Sequence, residues 1–591
     1  MTRRAGAVLA VLVALLVGGC GGLSSRGPVE PGLEVGSGNL PELRVIFPGP
    51  VPGLGQESIV RGFVRAGQAS GGDYDNAKEF LASQASEHWS PDGRIVLLAD
   101  DAAPSATLLD PATVRITAKA AGTVDGEGRY TAARPDSTVS ATFRLSTVGG
   151  EWRISELPEG FGRWISRSEI TRLVQPYAVH YVSTSRRALV PDVRWFPGDK
   201  LATRLARAQL AAVPPYLAGT ATTAVPRGAR LLGDAVSVDA GVATVNLISD
   251  RLLPGEATRQ DLWAQFVASL TQDTEVTRVA LAVDGVPVDL TGLDESAGTL
   301  AEVGFPGPSA PAPRRPVVRR GDDVTVLDPA ALGDAEPRAP TGAPASTYPP
   351  VAQEFKHLAL SFDASELAGV DPGGAGLSRW RGTNRYEVPL AATGVGNPSY
   401  DRRGYLWFGA VGSGGAKAPR LWVVDTRGNP ADPQRAAAVA VQAPWLAGRR
   451  VVESRVAADG DRVAIISTLA DGSGVRVDLA GVVHGGGGVP ARLADPLRLA
   501  APVTRASSLT WTDDRTLAMI GVVDGRTVQP VVLSVGGEVR RLTPVRGASA
   551  VASTGGEREL WVITSTGRLF GRTGTQWVDS GPATDVAVPA G

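Results

Sequence analysis

The period at which apolar residues recur changes several times along this chain, and each change marks a new element. Ala7 to Val17 is an unbroken apolar run behind Arg3 and Arg4, and small residues follow it. A charged start, a short apolar middle and a small-residue end form the layout of an export signal. The run is well short of the roughly 20 residues a spanning helix needs. From Gly21 to Gly55 no apolar period exists and Gly, Pro and Ser are frequent, which predicts a tether interrupted at most by a short strand at Leu43–Phe47. Helical spacing then appears at Ser58, Ile59, Val60, Phe63 and Val64, and again at Ala77, Phe80, Leu81 and Ala85, on either side of a turn at Gly71-Gly72-Asp73. Next the period falls to two. Strands are predicted at Ile95–Leu98, Thr113–Ala118, Ser137–Ser146 and Trp152–Ser155, broken by Asp125-Gly126-Glu127-Gly128 and by Gly149-Gly150. Two helices followed by a strand meander predict an α+β unit.

A second unit opens near Leu189. Leu201, Leu205, Ala208 and Leu210 lie on one face of a helix that starts after Pro197-Gly198-Asp199 and stops before Pro214-Pro215. Val236–Asp239 and Val242–Leu247 form a hairpin about Asp239-Ala240-Gly241, a helix covers Asp261–Leu270, and a strand at Val276–Val283 ends at Asp284-Gly285. The C-terminal half then repeats itself as strand, polar turn, strand. Leu358–Asp363 pairs with Leu367–Val370, Ser399–Asp401 with Leu406–Phe408, Val456–Asp459 with Val463–Ile466, Leu509–Asp513 with Leu517–Ile520, and Val551–Gly555 with Leu560–Ile563. A further first strand at Thr584–Val588 finds partners in Val317-Val318 and Val324–Leu327. Such repeats predict a β-propeller of five or six blades, with six following if the late strand closes the ring.

Composition is ordinary for folded domains, at 43% hydrophobic and 20% charged residues over 591 positions, enough for several cores. Basic and acidic residues number 59 and 60, and the export signal would remove only Arg3 and Arg4, leaving a small acidic excess. That excludes a broad nucleic-acid-binding surface. The one cysteine, Cys20, excludes an intrachain disulfide.

Cys20 also gives the apolar run its meaning. Val17-Gly18-Gly19-Cys20 resembles the lipobox of bacterial lipoproteins, with Gly18 a mild departure from the usual Ala or Ser. The resemblance implies diacylglycerol on the Cys20 sulfur, cleavage before Cys20 and acylation of the new amine. One acyl chain holds a protein only reversibly, whereas two or three anchor it. The order of the first unit resembles the NTF2-like fold. Leu201 to Asp289, with "RGARLLG", "VSVDAGVATVNL" and "VALAVDGVPV", is similar to the GerMN domain of germination and envelope lipoproteins. Lipobox, α+β unit, GerMN and propeller together resemble the actinobacterial LpqB lipoprotein family. The expected organisation is a signal peptide at 1–19, a tether at 20–55, an NTF2-like domain at 56–185, a GerMN domain at 186–303 and a β-propeller with a Pro-rich lead-in at 304–591.

No catalytic constellation accompanies these elements. His88, His180, His357 and His484 are scattered without a metal-ligand pair, no G-x-x-x-x-G-K-[ST] loop occurs, and no G-x-S-x-G elbow occurs. Asp363, Asp401, Asp459 and Asp513 recur at the polar turns, where a pair could meet as acid and base, but Asp between strands ordinarily bonds its own backbone. Gly485–Gly488 reads as a hairpin tip. Arg314, Arg315, Arg319 and Arg320 read as solvating a linker and an edge strand, with anionic lipid or polymer as the other use. Trp407, Trp422, Trp511 and Trp561 are expected in the core. No catalytic residue, metal or cofactor is therefore expected, Cys20 is the lipidation site, and any ligand-binding residues are left unassigned. The resemblance to the LpqB family implies a membrane-anchored protein on the extracytoplasmic face. Its partner would be the outer part of the MtrB sensor histidine kinase, so that it tunes the MtrA/MtrB two-component system in cell-wall homeostasis. The alternative is a cell-wall glycan or peptide bound by the GerMN domain or the propeller funnel.

Overall fold

The computed structural model describes residues 47–589, apart from 70–73, 100–102, 135, 167, 234, 252–254, 291–298, 308–314, 328–347, 416–417, 500–502, 524 and 526. The signal, Cys20, nearly all of the tether, the Gly71-Gly72-Asp73 turn and Arg314 lie outside the described residues. From Ile46 onward the chain is one compact unit.

Helix α1 (Gln56–Ala66) buries Ile59, Val60, Phe63 and Val64, the apolar face its spacing requires. The second expected helix is two short ones, α2 (Asp75–Lys78) and α3 (Ser83–His88). The cause is a competing partner: the Ile154 N–H donates to Phe80 O at 2.9 Å, and Ala82 N–H donates to Ile154 O at 2.8 Å. Residues 80–82 thus pair with a strand where a helix would have continued. The strands are β1 (Arg94–Leu98), β2 (Ser105–Asp110), β3 (Thr113–Val124), β4 (Tyr130–Ala132), β5 (Thr138–Val148), β6 (Glu151–Glu156) and β7 (Phe161–Ile165). They form one sheet in the order β6-β5-β3-β1-β7, with β2 and β4 also on β3. One face of this sheet holds Phe143, Ile154 and Trp164 against α1; the other holds Ile95, Leu97 and Ile165 against Trp195.

Trp195 belongs to the antiparallel hairpin β8 (Gln175–Ser183) and β9 (Leu189–Phe196), which runs across the expected boundary at residues 185 and 186. After it come α4 (Leu201–Gln209), β10 (Ala221–Thr222), β11 (Arg230–Leu231), β12 (Ser237–Asp239), β13 (Val242–Ile248), α5 (Gly255–Leu270), β14 (Arg278–Val283) and β15 (Val286–Pro287). β12 and β13 make the expected hairpin, and β13 lies parallel to β14 through the α5 crossover.

Among the described residues the C-terminal half holds, besides the two-stranded pairing of Ala392–Thr393 with Val411–Gly412, six antiparallel sheets in succession. Their innermost strands are Asp585–Ala587, Lys356–Leu360, Ser399–Tyr400, Arg449–Val456, Val503–Trp511 and Ala548–Ser553. Each packs beside the next, and the last beside the first, so the set closes on itself. Asp585–Ala587 pairs with Val317–Arg319, the partner its sequence position suggested. Trp407, Trp422, Trp511 and Trp561 are all buried. The arginines depart from expectation. Arg319 is only 1% exposed because the late strand covers it, and its guanidinium donates to Ala352 O at 2.9 Å and to Phe355 O at 2.8 Å. Arg320 is half-buried and donates to Pro582 O, while Arg315 is exposed. Arg319 is therefore a structural cation of the ring and not a solvated edge charge.

Candidate functional site

The residues singled out for chemistry resolve into turns and core. Asp363 accepts from Ser361, Ser365 and the Ser365 N–H, and those bonds hold its carboxyl below the usual range against the opposing effect of partial burial. Asp401 accepts from the backbone of Arg403 and Tyr405 and from Trp407 Nε1 at 2.8 Å. Asp459 accepts from the N–H groups of Asp461 and Arg462, and Asp513 from that of Arg515. All four close the strand-to-strand turn of their own sheet. His88 and His357 are exposed, and His180 is held neutral by burial, its pKa pushed down to about 3, with Nδ1 3.2 Å from Ser269 Oγ. Gly486–Gly488 is the tip between Arg476–His484 and Pro490–Leu493. Among the described residues no three His, Cys, Asp or Glu side chains meet as metal ligands.

What the fold does bring together is a three-way junction. The fifth sheet turns at Gly536-Gly537 between Gln529–Ser534 and Val539–Arg541, and this turn enters a notch formed by Tyr130 of β4 and Val193 and Trp195 of β9. Trp195 Nε1 donates to Gly536 O at 2.7 Å, and the Tyr130 and Trp195 rings lie 6.1 Å apart at 44°. A Cβ on Gly536 would stand 2.5 Å from Val193 Cγ1, and one on Gly537 would stand 2.1 Å from the Tyr130 ring. Only glycine fits at either place. The Trp195 N–H also donates to Gly128 O at 2.7 Å, tying β9 to the first sheet. Beside the notch a cleft of about 430 Å³ opens between the first sheet and the strand Val539–Arg541. Sequence reasoning missed this site, although paired glycines between two strands of a repeat were its visible sign.

A second seam is ionic. Arg462, fully buried, donates to Asp459 at 2.7 Å, to Pro191 O at 3.3 Å and to Asp514 O at 2.6 Å, so one side chain ties the β8–β9 hairpin to the fourth and fifth sheets. Thr220 Oγ1 donates to Asp461 O and Val482 O, and Arg403 reaches Asp461 at 2.8 Å. Burial, then the nearby Asp459, pushes the Asp461 carboxyl up to about 6, while Arg403 and Ser183 oppose the rise. His484, beside Arg403, is pushed down to about 4, first by burial and then by that guanidinium. A carboxyl raised on folding favours the folded state most below its unfolded pKa, and that contribution is lost as pH rises through the folded value. Asp461→Asn removes the titration, so its stability relative to the parent should rise by on the order of 2 kcal/mol between pH 4 and pH 7. Thermal melts of both proteins across that window check this; a constant difference would place the titration elsewhere.

With this geometry in view, similarity to known proteins is informative. Three family models match in succession: the lipoprotein LpqB N-terminal domain over residues 49–171, a model described as sporulation and spore germination over 178–289, and the lipoprotein LpqB beta-propeller domain over 341–590. The chain is thus a multidomain lipoprotein type that carries a germination-related domain and a β-propeller. It belongs to the LpqB lipoprotein family. The proteins named lipoprotein LpqB from Thermobifida fusca and Cutibacterium acnes are 26% and 27% identical to it, over 90% and 91% of both chains respectively. These relatives are named as lipoproteins and not as enzymes. Likeness to solved structures is slight: Kuenenia stuttgartiensis hydrazine synthase aligns with a TM-score of 0.31 at 14% identity, covering 48% of this chain and 79% of that one.

Proposed function

We propose that this protein is a non-enzymatic, lipid-anchored envelope protein that binds the outer part of a sensor histidine kinase of the MtrA/MtrB type and modulates its output in cell-wall homeostasis. The observation that carries the reading is the junction about Gly536-Gly537, which joins the first sheet, the β8–β9 hairpin and the fifth sheet into one body. Such a body offers one continuous surface for a protein partner. Cys20 carries the lipid, and 20–55 is the tether that confines the body near the membrane. Confinement raises the effective concentration for a membrane-bound partner, so modest contacts suffice. In this reading the first unit is an NTF2-like domain, the six sheets are six blades, and the GerMN unit begins near β8, since β8 and β9 share their core with α4 and α5. The signal peptide, residues 1–19, is removed, and the Pro-rich segment from residue 304 leads into the propeller.

A wall glycan or peptide in the GerMN unit or funnel is the second reading. Against the funnel, polar side chains at the innermost strands bond one another: Asn397 donates to Glu453 at 2.9 Å and Arg455 donates to the same carboxylate at 2.8 Å. The test is co-capture of the kinase, paired with response-regulator phosphorylation, in cells carrying the wild type, Cys20→Ser or no protein. Capture and altered phosphorylation are expected with the wild type alone, together with loss of Cys20→Ser from the membrane fraction. If neither depends on the protein, while the purified body binds a wall fragment tightly, the second reading replaces the first.

A further inference from the structure

The cleft beside the junction has three features that select one kind of ligand. Its floor is the part of the first sheet about the register shift between Leu97 and Leu98, where Leu97, Ala120, Ala121 and Ala133 line it and the Tyr130 and Trp195 rings stand at the junction end. A floor of alanines leaves room for another chain's side chains above the sheet.

Its opposite wall is the strand Val539–Arg541, the outermost of the fifth sheet. In the register of this strand Arg540 stands opposite Val532, with the Ser534 N–H on Glu538 O and the Leu542 N–H on Pro530 O to either side. Antiparallel ladders alternate, so the N–H and C=O of Val539, between two bonded pairs, face away from the sheet. An outer strand that lines a cleft offers these groups to an extended backbone, and pairing of this kind is a recurrent mode of peptide recognition.

The third feature is charge. Arg134, Arg540 and Arg541 line the cleft against Asp136 and Glu538. Asp136 lies 3.8 Å from Lys119, and Arg540 is committed to Glu557. Glu557 is itself held down to about 2 by Arg540, and Arg572 adds to the effect. Arg134 is exposed and its guanidinium makes no hydrogen bond or ion pair among the described residues. The rim therefore keeps a cationic excess on the side of Arg134.

We propose that this cleft binds a short extended peptide bearing a carboxylate, with its backbone paired to Val539 and its carboxylate on Arg134. The site lies outside the propeller funnel and takes only Trp195 from the β8–β9 hairpin, and it stands whether or not a kinase is the partner. The length is set by the cavity, since about 430 Å³ is at the small end for ligand sites and holds a few residues, not a folded partner.

The test uses the full extracytoplasmic body and fluorescent tetrapeptides of alternating alanine and valine in three forms: with a free C-terminal carboxylate, amidated at that end, or N-methylated at alternate backbone nitrogens. The free-carboxylate form is expected to bind. Amidation and Arg134→Ala are each expected to weaken binding about tenfold, and N-methylation and Ala133→Trp, which fills the floor, are expected to abolish it. Circular dichroism melts confirm that the variants fold, and Arg134→Ala, on an exposed side chain, serves if Ala133→Trp does not. Failure of every peptide to bind the wild type would overturn the site. So would binding unaffected by Arg134→Ala and by amidation, or a glycan of matched charge competing where the peptide does not.

Discussion

Deletion of residues 584–591 is expected to destabilise the protein far beyond the share of the chain removed. Asp585 supplies the carboxylate partner of Arg319, and Thr584 Oγ1 accepts from Arg319 Nε at 3.1 Å. Burial raises the Asp585 carboxyl, and Arg319 is the first of the groups that hold it ionised. Removing one partner of a buried pair costs about 3–5 kcal/mol, because the remaining charge stays desolvated. The deletion also uncovers Val317 and Val318 and opens two strand edges, Val317–Arg320 on one side and Lys356–Leu360 on the other, where Leu360 bridges Pro589. Against a total stability of about 5–15 kcal/mol this is a large fraction. Calorimetry should show a lower and broader transition with aggregation, and Asp585→Asn should fall between deletion and parent. A deletion mutant that melts as sharply as the parent would show that this pairing does not hold the ring.

Gly537→Val should loosen the first sheet from the fifth without unfolding either, while the Arg462 seam still holds the β8–β9 hairpin. Gly537 has φ +92°, a conformation that costs a β-branched residue about 1–3 kcal/mol, and its added side chain would collide with the Tyr130 ring. The turn must withdraw, and the buried bond from Trp195 to Gly536 goes with it at about 1–3 kcal/mol. The expected result is a second calorimetric transition, a larger radius of gyration in solution scattering and faster proteolysis between β9 and the fifth sheet. Gly574→Ala is the control, because its φ of +61° is also strained yet nothing lies within 4 Å of the added carbon. An unchanged single transition in Gly537→Val would mean that the junction contributes little to holding the units together.

Features decided within a few residues were legible in the sequence. The aspartates at 363, 401, 459 and 513 close their own turns, the β12–β13 hairpin turns at Asp239-Ala240-Gly241, and the four propeller tryptophans are buried, because local backbone chemistry and apolar period determine each of them. Closure by Asp585–Ala587 was legible too, as the one repeat strand lacking its own partner. Where a distant partner decides, reading failed. The Phe80–Ala82 segment leaves the helix for Ile154, and Arg319 is buried by a strand far along the chain. Nothing near Tyr130, Trp195 or Gly536 announces the others, so the junction became visible only once three separate stretches were in place. β2 escaped detection for a different reason: Leu108 and Leu109 remain exposed, so it has no half-buried alternation to read.

Ring closure has a kinetic side. Arg319 and Asp585 are 266 positions apart, so their pairing is a contact of very long range, slow to find and dependent on loops whose entropy must be lost first. A chain made from its N-terminus presents Arg319 long before Asp585 emerges. Throughout that interval the edge of Val317–Arg320 that will receive Asp585–Ala587 is uncovered, open to chaperones, proteases and the matching edge of another nascent copy. The late strand is therefore a timing element as well as a structural one: the propeller reaches its protected state only after Asp585–Ala587 has been made.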